Sequence, residues 1–259
     1  MQISHESPLC LLEESRKFND YDYALVHLFE ENLQYLQFFR DSISQGRRVI
    51  LDNSIFELGK SFEPKRFRYW VEELRPTEYI IPDVLEDYQE TKQSLENWIH
   101  ENRDLSGVKI GVVQGKTYSE LIDCYKIVDS HCDKIAISFD YSFYTSLFPY
   151  VSKHVGFTLG RSFLIHSLLR DGVINTKKPH HLLGCPLPWE FTLYRNLDWI
   201  ETVDTSSPIV HSILGVEFGE LGIHEKKTIK LVDLLFTQKD SINLDLLYHN
   251  IKTFRYLCQ

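Results

Sequence analysis

Polar or acidic residues end several apolar runs of this sequence. The runs ILDNS, IIPD, GVVQG, AISFD and ETVD bring in Asp52, Asp83, Gln114, Asp140 and Asp204. Equal intervals of about one strand–helix unit separate the first three, so successive parallel strands would present them at one rim. Carboxylates gathered there are costly unless they meet a ligand, a cation or each other. Each Asp alone could instead cap a following helix, but the group as a whole favours a functional site.

Short β-branched runs alternate with helical patterns along the chain, which is typical of a parallel sheet. We predict an α/β fold, a (β/α)8 TIM-like barrel, as a single domain over residues 1–259. The barrel core would span about 20–210 and a C-terminal helical segment about 220–259. An eighth strand lies either at 153–157 or near the N-terminus, and the sequence leaves both possibilities open. The seven other predicted strands lie at 23–28, 49–51, 79–81, 109–113, 134–138, 181–183 and 202–203.

Composition and charge limit the class of protein. No apolar run is long enough to cross a bilayer and no secretory signal precedes the first strand, so we expect a cytoplasmic protein, in the host cytoplasm if a phage encodes it. The five cysteines form no Cys-x-x-Cys pair, which argues against a zinc knuckle or a disulfide framework. A net charge of −9 counts against a general nucleic-acid coat. An enzyme acting on nucleic acid needs only a local basic surface. The candidate clusters are Arg47-Arg48, Lys65-Arg66-Phe67-Arg68, Lys177-Lys178 and Lys226-Lys227.

A metal-dependent barrel hydrolase is the first competing interpretation of the acidic rim. It would need histidines at the strand ends, whereas His131, His180 and His181 stand before or at predicted strand starts. Adjacent His180 and His181 would also point to opposite faces of a strand, which makes them a poor ligand pair. We therefore expect no metal and no cofactor. Cys185, at a strand end, has no matching His/Asn set and is not expected to be a nucleophile.

The strand-end motifs resemble those of the tRNA-guanine transglycosylase superfamily. The likeness is strongest to its phage and bacterial branch of 7-deazaguanine DNA transglycosylases, and it covers residues 49–208. Each motif is short, but their common order and spacing make the set specific. The motifs are LDNSIFEL (51–58), PDVLED (82–87), GVVQGK (111–116), HLLGCPLPWE (181–190) and VDTSSP (203–208).

The resemblance implies a role for each matching position. Asp204 corresponds to the nucleophile that attacks the sugar, and Asp52 to the acid/base beside the exchanged base. Base exchange of this kind proceeds through a glycosyl ester, as in retaining glycosidases. Substrate-binding roles fall on the residues around the base: Asp83 and Gln114 would read the guanine-like edge, with Gly115, Phe56, Asn53, Leu183 and Gly184 forming the pocket. Weaker candidates for phosphate binding are Arg161, Ser206 and Ser207.

Two departures from the family pattern shape the expected substrate. Ser54 and Ile55 replace two motif glycines, and the zinc-binding cysteine cluster of the tRNA enzymes is absent. We therefore expect guanine in DNA to be replaced by a free 7-deazaguanine base such as preQ0. The alternatives are a transglycosylase acting on tRNA and a catalytically inactive paralogue that binds nucleic acid or a partner. No membrane is expected as a partner, and the sequence does not indicate an oligomeric state.

Overall fold

A computed structural model describes residues 1–227 and 229–259 of the chain. Within them, eight parallel strands form a nearly closed barrel with helices between the strands, so the prediction of an α/β (β/α)8 fold is confirmed. Hydrogen-bonded pairing runs from β2 through β8, and β1 then pairs with β8. The strands are β1 (Gln2–His5), β2 (Asp22–Leu25), β3 (Val49–Asp52), β4 (Glu78–Ile80), β5 (Val108–Val112), β6 (Lys134–Ser138), β7 (His180–Leu183) and β8 (Ile200–Thr205).

The seam between β1 and β2 is bridged by the turn that precedes β2. The Ile3 amide donates to the Asp20 carboxylate at 2.8 Å, and the Asp20 amide donates to the Ile3 carbonyl at 3.0 Å. The His5 amide likewise donates to the Asn19 side chain at 2.7 Å. These bonds satisfy backbone groups of β1 that a direct ladder with β2 would otherwise have paired.

Two expectations about the strands need correction. The eighth strand is β1, and the alternative at 153–157 is wrong because those residues begin a long helix. The barrel consequently starts at Gln2 instead of near residue 20. The first run predicted as a strand, 23–28, is strand only as far as Leu25, since the chain turns into a helix at Val26.

Helices cover the outside of the barrel, and their apolar faces pack on the strands. Pro64 occupies the first turn of its helix, and Thr117 and Glu120 form a complete capping box. The helices are α1 (Leu12–Ser15), α2 (Val26–Glu31), α3 (Leu33–Ser44), α4 (Ile55–Leu58), α5 (Pro64–Leu74), α6 (Tyr88–Glu101), α7 (Tyr118–His131), α8 (Ser142–Leu147), α9 (Lys153–Arg170), α10 (Ser207–Ile213) and α11 (Leu244–Leu257). Among the described residues, no helix is both long and apolar enough to span a membrane.

The chain after the last strand supplies two further parts. Between α10 and α11, the described residues 214–227 and 229–243 form short 3-10 turns at Leu231–Leu234 and Lys239–Ser241 and an isolated bridge between Gly219 and Gly222. Helix α11 then packs against α10, where Ile209, Leu247 and Ile251 form a small apolar cluster with Leu11. Part of the 214–243 segment reaches back to the carboxyl end of the barrel, where it borders the cavity described next.

Candidate active site at the carboxyl end of the barrel

A cavity of about 330 Å³ opens at the carboxyl ends of the strands. This volume lies at the lower end of the range typical of small-molecule pockets. The four polar residues on which the sequence prediction depended most, Asp52, Asp83, Gln114 and Asp204, all line it. They come from four strands or the turns directly after them, which is how barrels assemble active sites. Further lining residues that the sequence predicted are Phe56, Leu183, Gly184 and Ser206.

Asp204 lies on β8 with 5% of its surface exposed. The Gly184 amide points at both of its carboxylate oxygens, at 3.2 and 3.3 Å. Gly184 has a φ of 65°, and a Cβ there would lie 2.4 Å from the Phe139 ring. Only glycine therefore fits this turn and directs its amide at Asp204.

His181 stands near the start of β7, as the sequence predicted, but its ring nevertheless contacts Asp204, which the sequence did not predict. Its Nε2 lies 3.0 Å from Asp204 Oδ1, and its Nδ1 lies 2.9 Å from the Thr202 hydroxyl. The Nε2 contact is too bent for a well-formed hydrogen bond. Because β7 is only four residues long, a side chain near its start still reaches the layer below the rim. The ring of Tyr23 stacks on His181 from across the barrel, with the ring centroids 5.8 Å apart.

Burial keeps His181 in its neutral form. Its pKa is lowered from 6.5 by burial, and the nearby Asp204 carboxylate opposes this shift. Neighbouring His180 faces outward instead, where it contacts Tyr125 and Trp199. The two histidines thus point to opposite faces of the strand, as the sequence indicated.

Asp52 ends β3 and lies across the cavity, in the turn that carries the family-like motif. The Ser54 amide donates to its Oδ2 at 2.9 Å. Ser54 has a φ of 60°, so it occupies the left-handed conformation that glycine adopts most easily. Burial raises the pKa of Asp52 well above its ordinary value, and the charge of nearby Glu57 raises it further.

Asp83 is held in place by two amide side chains. Asn53 Nδ2 donates to one oxygen at 2.7 Å, and Gln114 Nε2 donates to the other at 2.6 Å. The Gln114 carbonyl oxygen in turn accepts from the Glu86 amide at 2.8 Å. Burial raises the pKa of Asp83 to about 6, although both hydrogen bonds act in the opposite direction. Asn53 is therefore a support behind Asp83, because it is fully buried and does not line the cavity.

The cavity is also lined by carboxyl groups that the sequence prediction did not include. Glu6 follows β1, and its amide donates to the Thr205 carbonyl at 3.1 Å, which sets it beside β8. Its pKa is raised by burial and then by the charges of Asp204, Glu57 and Asp52. Burial also raises the pKa of Glu57 to about 7. No signal marked Glu6, since β1 itself was not located, whereas Glu57 was visible inside the LDNSIFEL motif.

Two aromatic rings and two lysines form the outer part of the cavity. Phe56, 40% exposed, lies 5.6 Å from Phe139 between ring centroids. The Lys230 ammonium lies 4.7 Å from the Phe56 ring centre, and that of Lys226 lies 4.5 Å from Phe139. The exposure of Phe56 at the cavity excludes the reading that it is an ordinary core residue. Phe139 and Lys230 were not among the predicted site residues, whereas Lys226 belongs to one of the candidate basic clusters.

Arg161 is not placed to bind phosphate. It is fully buried in α9, where its guanidinium pairs with Glu190 at 2.6 and 3.0 Å. It also donates to the carbonyls of Leu183 and Gly184 at 2.8 and 3.0 Å. Since these contacts occupy the guanidinium, Arg161 supports the wall of the cavity from behind.

Two further predicted residues also lie outside the cavity lining. Ser207 is buried at the start of α10, where its amide donates to the Thr205 hydroxyl, and only Ser206 remains open to a ligand. Gly115 leaves no room for a Cβ, which would lie 2.8 Å from Glu120, so it serves the turn before α7. Within residues 1–227 and 229–259, no group of three or more His, Cys, Asp or Glu is arranged to hold a metal ion.

Fold and site together define a (β/α)8 barrel with an acidic cavity at the catalytic end. No protein-family model matches the chain. No curated protein matches it either. Among solved structures, it is similar to N-(5'-phosphoribosyl)anthranilate isomerase from Pyrococcus furiosus, with 12% sequence identity and a TM-score of 0.45. That likeness covers 98% of this chain and 97% of the isomerase.

Proposed function

We propose that the protein is a pentosyltransferase that exchanges guanine in DNA for a 7-deazaguanine base. The observation that carries the proposal is that Asp52, Asp83, Gln114 and Asp204 line one cavity at the carboxyl end of the barrel. These are the residues to which the family resemblance assigns the nucleophile, the acid/base and the base-reading pair. A barrel with such a cavity is compatible with an enzyme, and this residue set supports the proposal of base exchange.

Asp204 is the proposed nucleophile. Its carboxylate attacks C1′ of the target nucleotide, a C–O bond forms, and the bond from C1′ to the base nitrogen breaks with its electrons going to the base. In the second half-reaction the incoming base attacks C1′, and the carboxylate leaves. The Gly184 amide and the His181 ring, in contact with Asp204, orient the carboxylate for both steps.

Asp52 is the proposed proton donor and acceptor. Its raised pKa favours the protonated carboxyl group, which is the form that an acid catalyst needs in order to donate a proton. The departing guanine takes this proton, and the incoming base returns one when its ring nitrogen attacks. A carboxyl pair split between an attacking and a protonating role is the same division of labour that glycosidases use.

Asp83 and Gln114 are the proposed readers of the base. A guanine edge offers N–H donors that a carboxylate accepts, together with a carbonyl that an amide N–H can bind. The mutual hydrogen bond of the two side chains and the support from Asn53 fix their orientation before substrate arrives. Phe56, exposed at the mouth, is positioned to stack on the ring. A target in duplex DNA would have to be flipped out to reach this depth.

Incubation of the protein with DNA and a labelled preQ0-type base tests the proposal, with tRNA in a parallel reaction. We expect label in DNA, and a covalent DNA–protein adduct when the second base is omitted. Label in tRNA alone would support the alternative tRNA enzyme. No transfer to either polymer and no adduct would support an inactive, nucleic-acid-binding paralogue and overturn the proposal.

Two isosteric substitutions assign the carboxyl roles. Asp204→Asn should abolish transfer and adduct formation, because an amide is too weak a nucleophile. Asp52→Asn should lower kcat by about 10²–10⁴-fold while the protein still binds DNA, since only proton transfer is lost. Asp123→Asn, at an exposed position of α7 outside the cavity lining, serves as the isosteric control for handling and folding. Near-normal transfer by Asp204→Asn would show that another group attacks the sugar.

A further inference from the structure

Four lysines surround the mouth of the cavity. Lys153 begins α9, and Lys226, Lys227 and Lys230 belong to the segment between α10 and α11. In the part of the chain that the structure describes, none of their ammonium groups forms an ion pair within 4.0 Å. Lys226 Nζ instead donates to the Cys185 carbonyl at 3.1 Å, and Lys230 Nζ to the Phe56 carbonyl at 3.3 Å. The mouth therefore carries cationic groups whose charge is not neutralised by direct contact with a carboxylate.

This arrangement separates charge by depth. Carboxyl groups occupy the inner cavity, whereas the lysines lie at its outer edge, on a protein whose overall charge is −9. A nucleotide in a polymer has the complementary layout, because positive charge develops on its sugar during base exchange while its phosphates stay outside. A free base or an uncharged nucleoside would make no use of the outer lysines.

The contacts of Lys226 and Lys230 with aromatic rings indicate how these lysines could move from the rings to a phosphate when substrate binds. Each ammonium lies over a ring, Phe139 or Phe56, that a base entering the cavity would contact. Such cation–π contacts are weak compared with a charge–charge contact to a phosphate. Because a phosphate is a stronger partner for an ammonium, the flexible lysine stems can turn outward as the base replaces them on the rings.

The amino end of α9 adds to the positive character of the mouth. This helix has 18 residues, and Ser152 at its N-cap makes no side-chain hydrogen bond to the first turn. Its first backbone amides are therefore available beside Lys153 and His154, both of which line the cavity. The helix end and the lysines reach the cavity from different parts of the chain.

We propose that Lys153, Lys226, Lys227 and Lys230 bind the backbone phosphates on either side of the nucleotide whose base enters the cavity. This inference rests on the proposed function, because it takes a polynucleotide as the substrate. The shared ligand chemistry is a phosphodiester backbone, and DNA and RNA are distinguished by experiment. Phosphate binding thus falls to these lysines in place of Arg161.

Binding of a labelled single-stranded DNA of about ten nucleotides with one central guanine tests the lysines directly, measured by fluorescence anisotropy across a salt series. We expect the triple variant K226Q/K227Q/K230Q to bind at least tenfold more weakly at low salt. Its log–log salt slope should also be smaller by about 2, since each lost phosphate contact removes about 0.7. The triple arginine variant K226R/K227R/K230R should bind as the wild type does, because it keeps the charges.

Two controls separate phosphate recognition from other effects. K177Q changes an exposed lysine in the loop before β7, at the opposite end of the barrel, and should leave affinity unchanged. An oligonucleotide with neutral methylphosphonate linkages flanking the guanine should bind weakly to the wild type. It should bind to the glutamine variant with the same weak affinity, because the phosphate charges that the lysines contact are already absent. An RNA of the same sequence shows whether the site distinguishes the two backbones. Equal affinity and equal salt slope for wild type and the folded glutamine variant would overturn the inference.

The outcome of the binding assay does not depend on whether the protein exchanges bases. If no base is transferred under any condition but the glutamine variant loses DNA affinity as expected, the phosphate site stands and the proposed function falls. If transfer occurs at the wild-type rate in the glutamine variant at limiting DNA, the function stands and the phosphate site falls. Circular dichroism and thermal melting of each variant establish that both comparisons use folded protein.

Discussion

The groups in direct contact with the Asp204 carboxylate differ from those around its acidic neighbours. The Gly184 amide donates to it, and the neutral His181 ring lies 3.0 Å away. Glu6 and Asp52, by contrast, have raised pKa values because both are buried near other carboxyl groups. Divergent surroundings for nearby carboxyl groups are the usual way in which one site holds both an attacking anion and a proton donor.

Glu57 provides a test of this electrostatic picture through stability. Its folded-state pKa of about 7 lies above the ordinary 4.5, so between these pH values the folded protein keeps a proton that the unfolded chain has lost. The free energy of unfolding therefore falls as pH rises through that window. Glu57→Gln should remove this loss, leaving stability unchanged near about pH 4 and raising it by about 1–2 kcal/mol near about pH 8.

Urea unfolding of wild type and Glu57→Gln over a pH series measures the effect. Exposed Glu220, outside the cavity lining, provides the matched control, and Glu220→Gln should show no pH-dependent difference. A Glu57→Gln advantage that stays constant or shrinks towards alkaline pH would contradict the assigned burial of this carboxyl group.

The sequence located the residues that stand directly at strand ends, because strand length and spacing place them there. Asp52, Asp83, Gln114 and Asp204 were found in this way, and their joint position at one cavity follows from barrel geometry. His181 was missed because its height in the barrel depends on the register between β7 and β8, which pairs His181 with Thr202. Register is a long-range property, and no local pattern reveals it.

The role of Arg161 could not be predicted from the sequence. An arginine after a glycine is equally compatible with a phosphate contact and with a buried ion pair. The deciding partner, Glu190, lies 29 residues further along the chain. Only the fold brings the two together, so the residue type alone could not settle the role of the guanidinium.

At the scale of elements, the packing of α8 on α9 positions the turn after β6 that carries Phe139 and Asp140. The contact is close at Gly160, where an added Cβ would lie 2.1 Å from the Tyr144 Cβ. Gly160→Ala should therefore push the two helices apart and lower the free energy of unfolding by about 1–3 kcal/mol. It should also weaken substrate binding, because Phe139 lines the cavity.

Gly156 in the same helix is the matched control for this prediction. A Cβ there would lie 3.5 Å from its nearest neighbour, which is ordinary van der Waals contact. Gly156→Ala should be neutral or stabilise the protein by up to about 1 kcal/mol through helix propensity. Thermal or urea unfolding distinguishes the two, and equal effects of both substitutions would show that α8 and α9 pack less tightly than described.

Element prediction from sequence succeeded for the seven apolar runs and left the position of the eighth strand open between the N-terminal segment and residues 153–157. Strand β1 has the sequence QISH, which is too short and polar to stand out. Its partner β8 lies 200 residues away, a distance at which local pattern carries no information. The run at 153–157 was ambiguous because a short apolar segment fits a strand or a helix turn equally well. Ser152 and the continuing helical pattern to Arg170 resolve it as helix.

At the scale of the whole molecule, the two ends of the barrel differ in how their charges are satisfied. At the amino end, ion pairs link Arg48, Glu78, Lys134 and Glu201 into one network. Lys134 is only 1% exposed and contacts Glu78 at 3.1 Å and Glu201 at 2.8 Å. At the carboxyl end, carboxyl groups and lysines face an open cavity. Ion pairs at one end hold strands together, whereas the four lysines at the mouth of the other end, which form no ion pair among the described residues, remain available for a ligand.

The amino-end network should stabilise the barrel as one cooperative unit, because its members belong to β4, β6, β8 and the residue before β3. Lys134→Met leaves Glu78, itself 3% exposed, with fewer partners and should lower the free energy of unfolding by about 3 kcal/mol. The double variant Lys134→Met/Glu78→Gln removes the uncompensated charge as well and should recover much of the loss. Tryptophan fluorescence and far-ultraviolet circular dichroism should report one coincident urea transition in every variant, while DNA binding of the folded protein stays unchanged. Two separate transitions, or no recovery in the double variant, would contradict a network that links the strands around the whole barrel.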